Sequence, residues 1–190
     1  MDLALIEECA PNVAPQMIQQ IIKVESNGNP FAIGVNRVRG KKQLKAIKFV
    51  MPKTNPEAVE LARRYIDAGY NIDMGLMQIN SANLRKLKIS VNDIFDQCTN
   101  IKAGAYILSE NYARSSKAFG AGQIALQAAL SAYNTGNYSD GFSNGYVKKY
   151  LDKSPVYLDT DTEVKFTSSR EKEVDNDSNE SDTEIKFKAN

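Results

Sequence analysis

The apolar positions of this chain fall mostly at helical spacing. In PQMIQQIIKVESNGNP (Pro15 to Pro30), Ile18, Ile21, Ile22 and Glu25 recur at i, i+3, i+4 and i+7 and share one helix face. Pro15 suits the first turn, and Gly28 and Pro30 end the segment. Leu3 to Cys9 reads as a short helix closed by Pro11. Thr54-Asn55-Pro56-Glu57 is a helix start: Thr54 or Asn55 caps, Glu57 completes a capping box, and the helix runs through Ala58, Leu61, Ala62 and Tyr65 to Gly69. Gly75 interrupts Tyr70–Asn80. Ser81 caps a short helix to Leu87, and Ser90 and Asp93 frame another around Ile94 and Phe95. Thr99 to about Ala113 carries Ile101, Ala105, Leu108 and Tyr112 on one stripe. Gln123 to Tyr133 is apolar on nearly all sides and predicts a central buried helix with Gly136 as its left-handed stop. Tyr146 to Leu151 is a last short helix after a Gly/Ser/Asn loop. The one β-like section is Ala32–Val38 and Leu44–Val50 about the turn signal RGKK, a predicted hairpin with a basic tip.

The pattern ends at Asp152. Residues 152–190 hold 11 acidic and 6 basic residues, net −5, which leaves 18 basic and 12 acidic, net +6, in residues 1–151. The expectation is one mainly α domain over 1–151 and a disordered polar, acidic tail over 152–190. In that tail VKF (Val164–Phe166) and IKF (Ile185–Phe187) are small apolar islands, read either as parts of a solvated tail or as docking segments. A basic body suits an anionic polymer, either nucleic acid or a glycan bearing carboxylates. No run of 18 apolar residues predicts a membrane span. MDLALIEECAPN lacks the marks of a signal peptide, so either a signal has been removed or the protein stays inside.

The 190 residues include no histidine and two cysteines, which excludes Ser-His-Asp and Cys-His chemistry, histidine-ligated metals and a structural zinc site. No phosphate-binding glycine motif is present, and no cofactor or metal is expected. Carboxylates, hydroxyls and amides must carry any chemistry. Glu25 is the notable carboxylate. On an apolar face it is either paired or desolvated with a raised pKa, able to donate a proton near neutral pH. The plainer alternative is a last-turn side chain swung into water.

Three phrases then line up: VESNGNP (Val24–Pro30), GLMQIN (Gly75–Asn80) and SAYNTGN (Ser131–Asn137). Together, in this order, they resemble the lytic transglycosylase (SLT) family, relatives of goose-type lysozyme, over roughly residues 9 to 151. CAPNVAP, NPFAIGVN, AGYNIDMGLMQINSANL and FDQCTNIKAGAYIL are similar to the transglycosylases of type IV, conjugation-type secretion systems.

The resemblance implies a lysozyme-like helical domain with a small β-hairpin element, acting on peptidoglycan in the periplasm. It puts Glu25 in the place of the catalytic acid, followed by Ser26. Met77, Gln78 and Asn80 stand in the second motif and Tyr133 and Asn134 in the third, as residues that bind or orient the substrate. Each has a plainer reading: Ser26 as a helix end, Met77 as core filler, Gln78, Asn80 and Asn134 as turn or cap residues, Tyr133 as a core tyrosine. The implied reaction cleaves the β-1,4 bond between N-acetylmuramic acid and N-acetylglucosamine and closes a 1,6-anhydro ring, opening the wall for a secretion machine. The alternatives are a hydrolytic muramidase with Asp73 as second carboxylate, Asp73 otherwise being a turn cap, and a wall-binding assembly protein. The expected partners are glycan strands and envelope components of a secretion system. The chain is expected to be monomeric, and a nucleic-acid partner lacks any recognition motif. In an oxidising compartment Cys9 and Cys98 are expected to be bridged; two buried thiols are the alternative.

Overall fold

The computed structural model describes residues 1–36 and 50–151. The tip and second strand of the predicted hairpin, and the tail, lie outside the described residues. Eight helices and one small sheet are formed within them: α1 (Leu3–Cys9), α2 (Pro15–Glu25), β1 (Ile33–Asn36), α3 (Asn55–Asp67), β2 (Asn71–Met74), β3 (Ile79–Asn80), α4 (Leu84–Leu87), α5 (Gln97–Phe119), α6 (Gln123–Thr135), α7 (Asp140–Ser143) and α8 (Lys148–Leu151). The mainly helical class with a small β-element is the one expected. The described residues divide into two compact units, one of Met1–Cys9 with the described part of Ile18–Gly104, the other of Ala10–Met17 with the described residues from Ala105.

In the first unit the apolar face of α2 is buried as its spacing requires: Ile18 and Ile21 are 0% exposed. Asn27 and Gly28, both left-handed at φ 53° and 84°, turn the chain out of that helix. The sheet has the order β1-β2-β3, antiparallel throughout. Ile33 faces Met74 and Asn36 faces Asn71 across the first pair; Asp73 faces Asn80 across the second. Within β2 the pleat separates two chemistries. Ile72 and Met74 point into the core with no exposure, and Asn71 and Asp73 occupy the other, half-exposed face.

Thr54 caps α3 by accepting the Glu57 N–H, and Pro56 lies in the first turn. The capping box forms with a shift: the Glu57 carboxylate reaches the N–H of Lys53, 2.8 Å away, one residue before the cap. The segment to Leu87 opens with a 3₁₀ turn, Ser81–Asn83, capped by Asn80 rather than Ser81, the Asn80 side chain accepting the Ala82 N–H; α4 then follows Asn83, whose side chain makes no capping bond. Ser90 and Asp93 make hydrogen-bonded turns and no helix, and these bury Ile94 and Phe95. Cys9, at the end of α1, is disulfide-bonded to Cys98 in the first turn of α5, with Cα atoms 5.2 Å apart.

In the second unit α5 continues past Ala113 to Phe119. The stripe expected to end at about Ala113 runs on through Ser115, which is fully buried and whose hydroxyl bonds the Tyr112 and Ala125 carbonyls. A satisfied serine of this kind carries the helix on. α6 buries a broad stripe, Ala125 to Ser131, and is not apolar-buried all round, since Ile124 is 69% exposed. Gly136 closes it at φ 80°. Gly141, expected in a loop, sits inside α7, where a Cβ would come within 2.6 Å of the Ser131 backbone.

Candidate active site

Glu25 is the last residue of α2, half-buried, on the face shared by Ile18, Ile21 and Ile22. The next residue fixes this helix end to the second motif. The Ser26 hydroxyl donates to the Leu76 carbonyl at 2.7 Å and accepts the Gly28 N–H at 3.2 Å. One hydroxyl thus holds the turn after Glu25, its left-handed exit and the GLMQ loop together. That makes Ser26 a tether between two motifs as well as a helix end.

The Gly75–Gln78 loop is a tight turn whose conformation the sequence enforces. Gly75 has φ 76°, and a Cβ there would come within 2.2 Å of the Asn100 side-chain nitrogen. Gln78 also has positive φ, 49°, an uncommon state for a side chain other than glycine or asparagine. Its Nε2 donates to the Gly75 carbonyl at 2.9 Å and the Ala32 carbonyl at 3.2 Å, so the amide itself closes the turn. Its Oε1 lies above Gly34 of β1, where a Cβ would come within 2.9 Å. Met77 is fully buried, with its sulfur where a Gly104 side chain would be. In this conformation it packs the underside of the loop instead of facing solvent.

Among the described residues of the sheet's polar face, one carboxylate sits among amides. Asp73 Oδ1 accepts from Asn80 Nδ2 and Asp73 Oδ2 from Asn36 Nδ2, each at 2.7 Å. Asn71 and Asn80 exchange reciprocal amide bonds of 2.7 and 2.6 Å, and Asn36 also donates to Asn71. Asn80 therefore caps the 3₁₀ turn and holds Asp73 with the same amide. Burial pushes the Asp73 carboxyl above the usual carboxylate value of 3.8, and the bonds from Asn36 and Asn80 pull it part of the way back.

A pH dependence follows from this shift. The folded state binds the Asp73 proton more tightly than the unfolded chain, so stability from this group falls as pH rises through the window that opens near its usual value of 3.8. Asp73→Asn cannot titrate. Urea unfolding across about pH 3 to 7 should show the variant gaining on wild type as pH rises through that window. A flat difference would place the carboxyl at its ordinary value.

The structure thus gathers Glu25, Ser26, Met77, Gln78, Asn80 and Asp73 in the first unit. Tyr133 and Asn134 belong to the second, in the last turn of α6. Tyr133 is half-buried; Asn134 is exposed and accepts from Asn144 Nδ2 at 2.9 Å. Gly34, Asn36, Asn71 and Asn100 were not singled out by the motifs. Asn36 and Asn71 fall at the alternate polar positions of their strands, a signal available in principle. Asn100 had none. Among the described residues no group of three or more Asp, Glu, Cys or His side chains could hold a metal ion, and no helix is long and apolar enough to cross a membrane.

These motifs have counterparts in known proteins. The family model "Transglycosylase SLT domain" matches residues 2–154, and the chain belongs to that family. Within it the chain is similar to proteins named virB1. The type IV secretion system protein virB1 of Brucella abortus is 38% identical over 160 residues, 81% of this chain and 64% of the relative. Protein virB1 of Rhizobium radiobacter is 37% identical over 142 residues, 75% of this chain and 56% of the relative. Agrobacterium fabrum virB1 is 36% identical over 146 residues, 75% and 54%. The chain thus spans less than two thirds of these relatives' length. No solved structure matches it significantly.

Proposed function

We propose that this chain is a peptidoglycan lytic transglycosylase working in the periplasm, which opens the cell wall locally for a type IV secretion system. Membership of the SLT family supports the reaction class, and the likeness to a type IV secretion system protein supports the setting. The observation that carries the proposal is Glu25: a half-buried carboxyl at the end of an apolar helix face, tied through Ser26 to the amide-bearing loop. Glu25 protonates the glycosidic oxygen between N-acetylmuramic acid and N-acetylglucosamine. As the C1–O bond breaks, positive charge grows at C1. The Glu25 carboxylate then takes the proton of the muramic 6-hydroxyl, and O6 bonds to C1. The acid is regenerated, no water is consumed, and a 1,6-anhydro end results.

For Gln78 and Asn80 the reading rests on the GLMQIN motif, since the Gln78 nitrogen closes the loop and the Asn80 amide is bonded to Asn71, Asp73 and Ala82. For Tyr133 and Asn134 the reading rests on the SAYNTGN motif. Asp73 favours a second reading, in which it serves as the second carboxylate of a hydrolase, because its carboxyl is desolvated and singular on the polar sheet face. Against this, both of its oxygens already hold amides of its own sheet.

Digestion of purified peptidoglycan, with muropeptides read by mass spectrometry, separates the readings. Anhydro-muramic ends are expected. Reducing ends would move the assignment to a muramidase using Asp73. An intact wall would leave a wall-binding assembly protein.

A further inference from the structure

The geometry points to Asn100 as the positioning residue that sets the substrate loop against the turn carrying Glu25. Asn100 lies in the first turns of α5 and is 1% exposed. Three side-chain bonds use both ends of the amide. Oδ1 accepts the Met77 N–H at 2.8 Å, and Nδ2 donates to the Met74 carbonyl at 3.0 Å and to the Ile94 carbonyl at 2.8 Å. Met74 and Met77 bracket Gly75 and Leu76, so one amide clamps the loop at entry and exit and anchors it to the Ile94 turn. Both directions are required: a carboxylate cannot donate to the two carbonyls, and an alkyl side chain removes all three bonds from a buried position.

Two further contacts fit the clamp. Gly75 comes so near the amide that any side chain there would collide with it, and Leu76, held between the two clamped residues, presents the carbonyl that takes the Ser26 hydroxyl beside Glu25. Asn100 therefore reaches the acid through Leu76 and Ser26 and reaches the amide of Gln78 through Met77. It touches no substrate; its effect is on distance and orientation between the acid and the residues that hold the sugar. Errors of about 1 Å in such a relation cost on the order of 100-fold in rate.

The catalytic part of this inference rests on the proposed glycan cleavage, so the test has two readouts. Asn100→Ala and Asn100→Ser are compared with Asn111→Ala, a control that removes another buried asparagine, 4% exposed, in the second unit. All are assayed at a temperature where each is fully folded by circular dichroism. Turnover of peptidoglycan should fall about 10- to 100-fold for both Asn100 variants and stay within about twofold for Asn111→Ala. In NMR spectra the amide resonances of Gly75, Met77 and Gln78 should shift in the Asn100 variants, and the coupling that reports positive φ at Gln78 should change. Wild-type turnover in folded Asn100 variants, or an equal loss in Asn111→Ala, overturns the positioning role. Unmoved loop resonances overturn the clamp itself. A wild-type protein that cleaves no peptidoglycan fails the functional proposal and removes the catalytic part, while the resonances still decide the clamp.

Discussion

Replacing Glu25 by glutamine should lower peptidoglycan cleavage by about 100- to 10,000-fold, the range expected for losing a positioned general acid. The substitution keeps the shape of the side chain but replaces a group that can give and take a proton with an amide that can do neither. The bond between N-acetylmuramic acid and N-acetylglucosamine then has to break with an unprotonated alkoxide as leaving group. The 6-hydroxyl likewise has no base to receive its proton, so both halves of the reaction fail together. Because α2 is stabilised by the burial of Ile18, Ile21 and Ile22, and Ser26 still holds its end to Leu76, the fold should be retained. Melting temperature should move little, and binding of intact glycan should be near wild type, so the loss falls in turnover instead of in affinity. The assay is release of soluble muropeptides per enzyme, alongside a thermal melt and a sedimentation assay for wall binding. A variant that cleaves within about threefold of wild type would remove Glu25 as the acid, and Asp73 would be the remaining carboxylate on the polar sheet face.

How much of this was readable beforehand depends on the range of the interactions. The α2 face, the Thr54 cap and the Gly136 stop are local and were legible from spacing and residue type. The continuation of α5 was not, because Ser115 is satisfied by the Ala125 carbonyl, a partner on another helix. The sheet shows the same limit. A strand near Ile33 was expected, yet β1 finds its partner in Asn71–Met74, about 40 residues later, and the hairpin strand expected beside it is outside the described residues. At the candidate site, motif reading nominated Glu25, Ser26, Gln78 and Asn80 as candidates, because their residue types carry the family pattern. It did not single out Asn36 and Asn71 as holders of the Asp73 environment: their alternate polar positions were visible, but the partner they share emerges only once strands 35 residues apart are in register. Asn100 is the extreme case: a buried amide on an otherwise ordinary helix start, whose meaning lies entirely in the three backbone groups it meets.

Removing the disulfide should produce the largest change in stability. Cys9 and Cys98 are 89 residues apart, so their bond closes a long loop in the unfolded chain. The chain-entropy account assigns such a loop roughly 4.5 kcal/mol, while native bridges typically contribute about 2 to 5 kcal/mol. Cys9→Ala with Cys98→Ala should therefore lower the urea-extrapolated stability by an amount in that range, and the melting temperature by about 10 °C or more. Alanine is the better probe, since Cys9 is 2% exposed and a serine hydroxyl there would add a desolvation cost of its own. The dependence on urea should steepen, because the uncrosslinked chain exposes more surface when it unfolds.

The location of the bridge adds a functional consequence. Cys98 stands two residues before Asn100, in the turn of α5 that clamps the Gly75–Gln78 loop. Loosening that turn should lower turnover at temperatures where the protein is still folded, and reductant should reproduce the effect in wild type but not in the double variant. This combination fits an enzyme of an oxidising compartment. A stability loss below about 1 kcal/mol would mean that the α1 packing around Ile6 and Cys9 holds the two segments together without the covalent bond. Activity would then be insensitive to reductant as well.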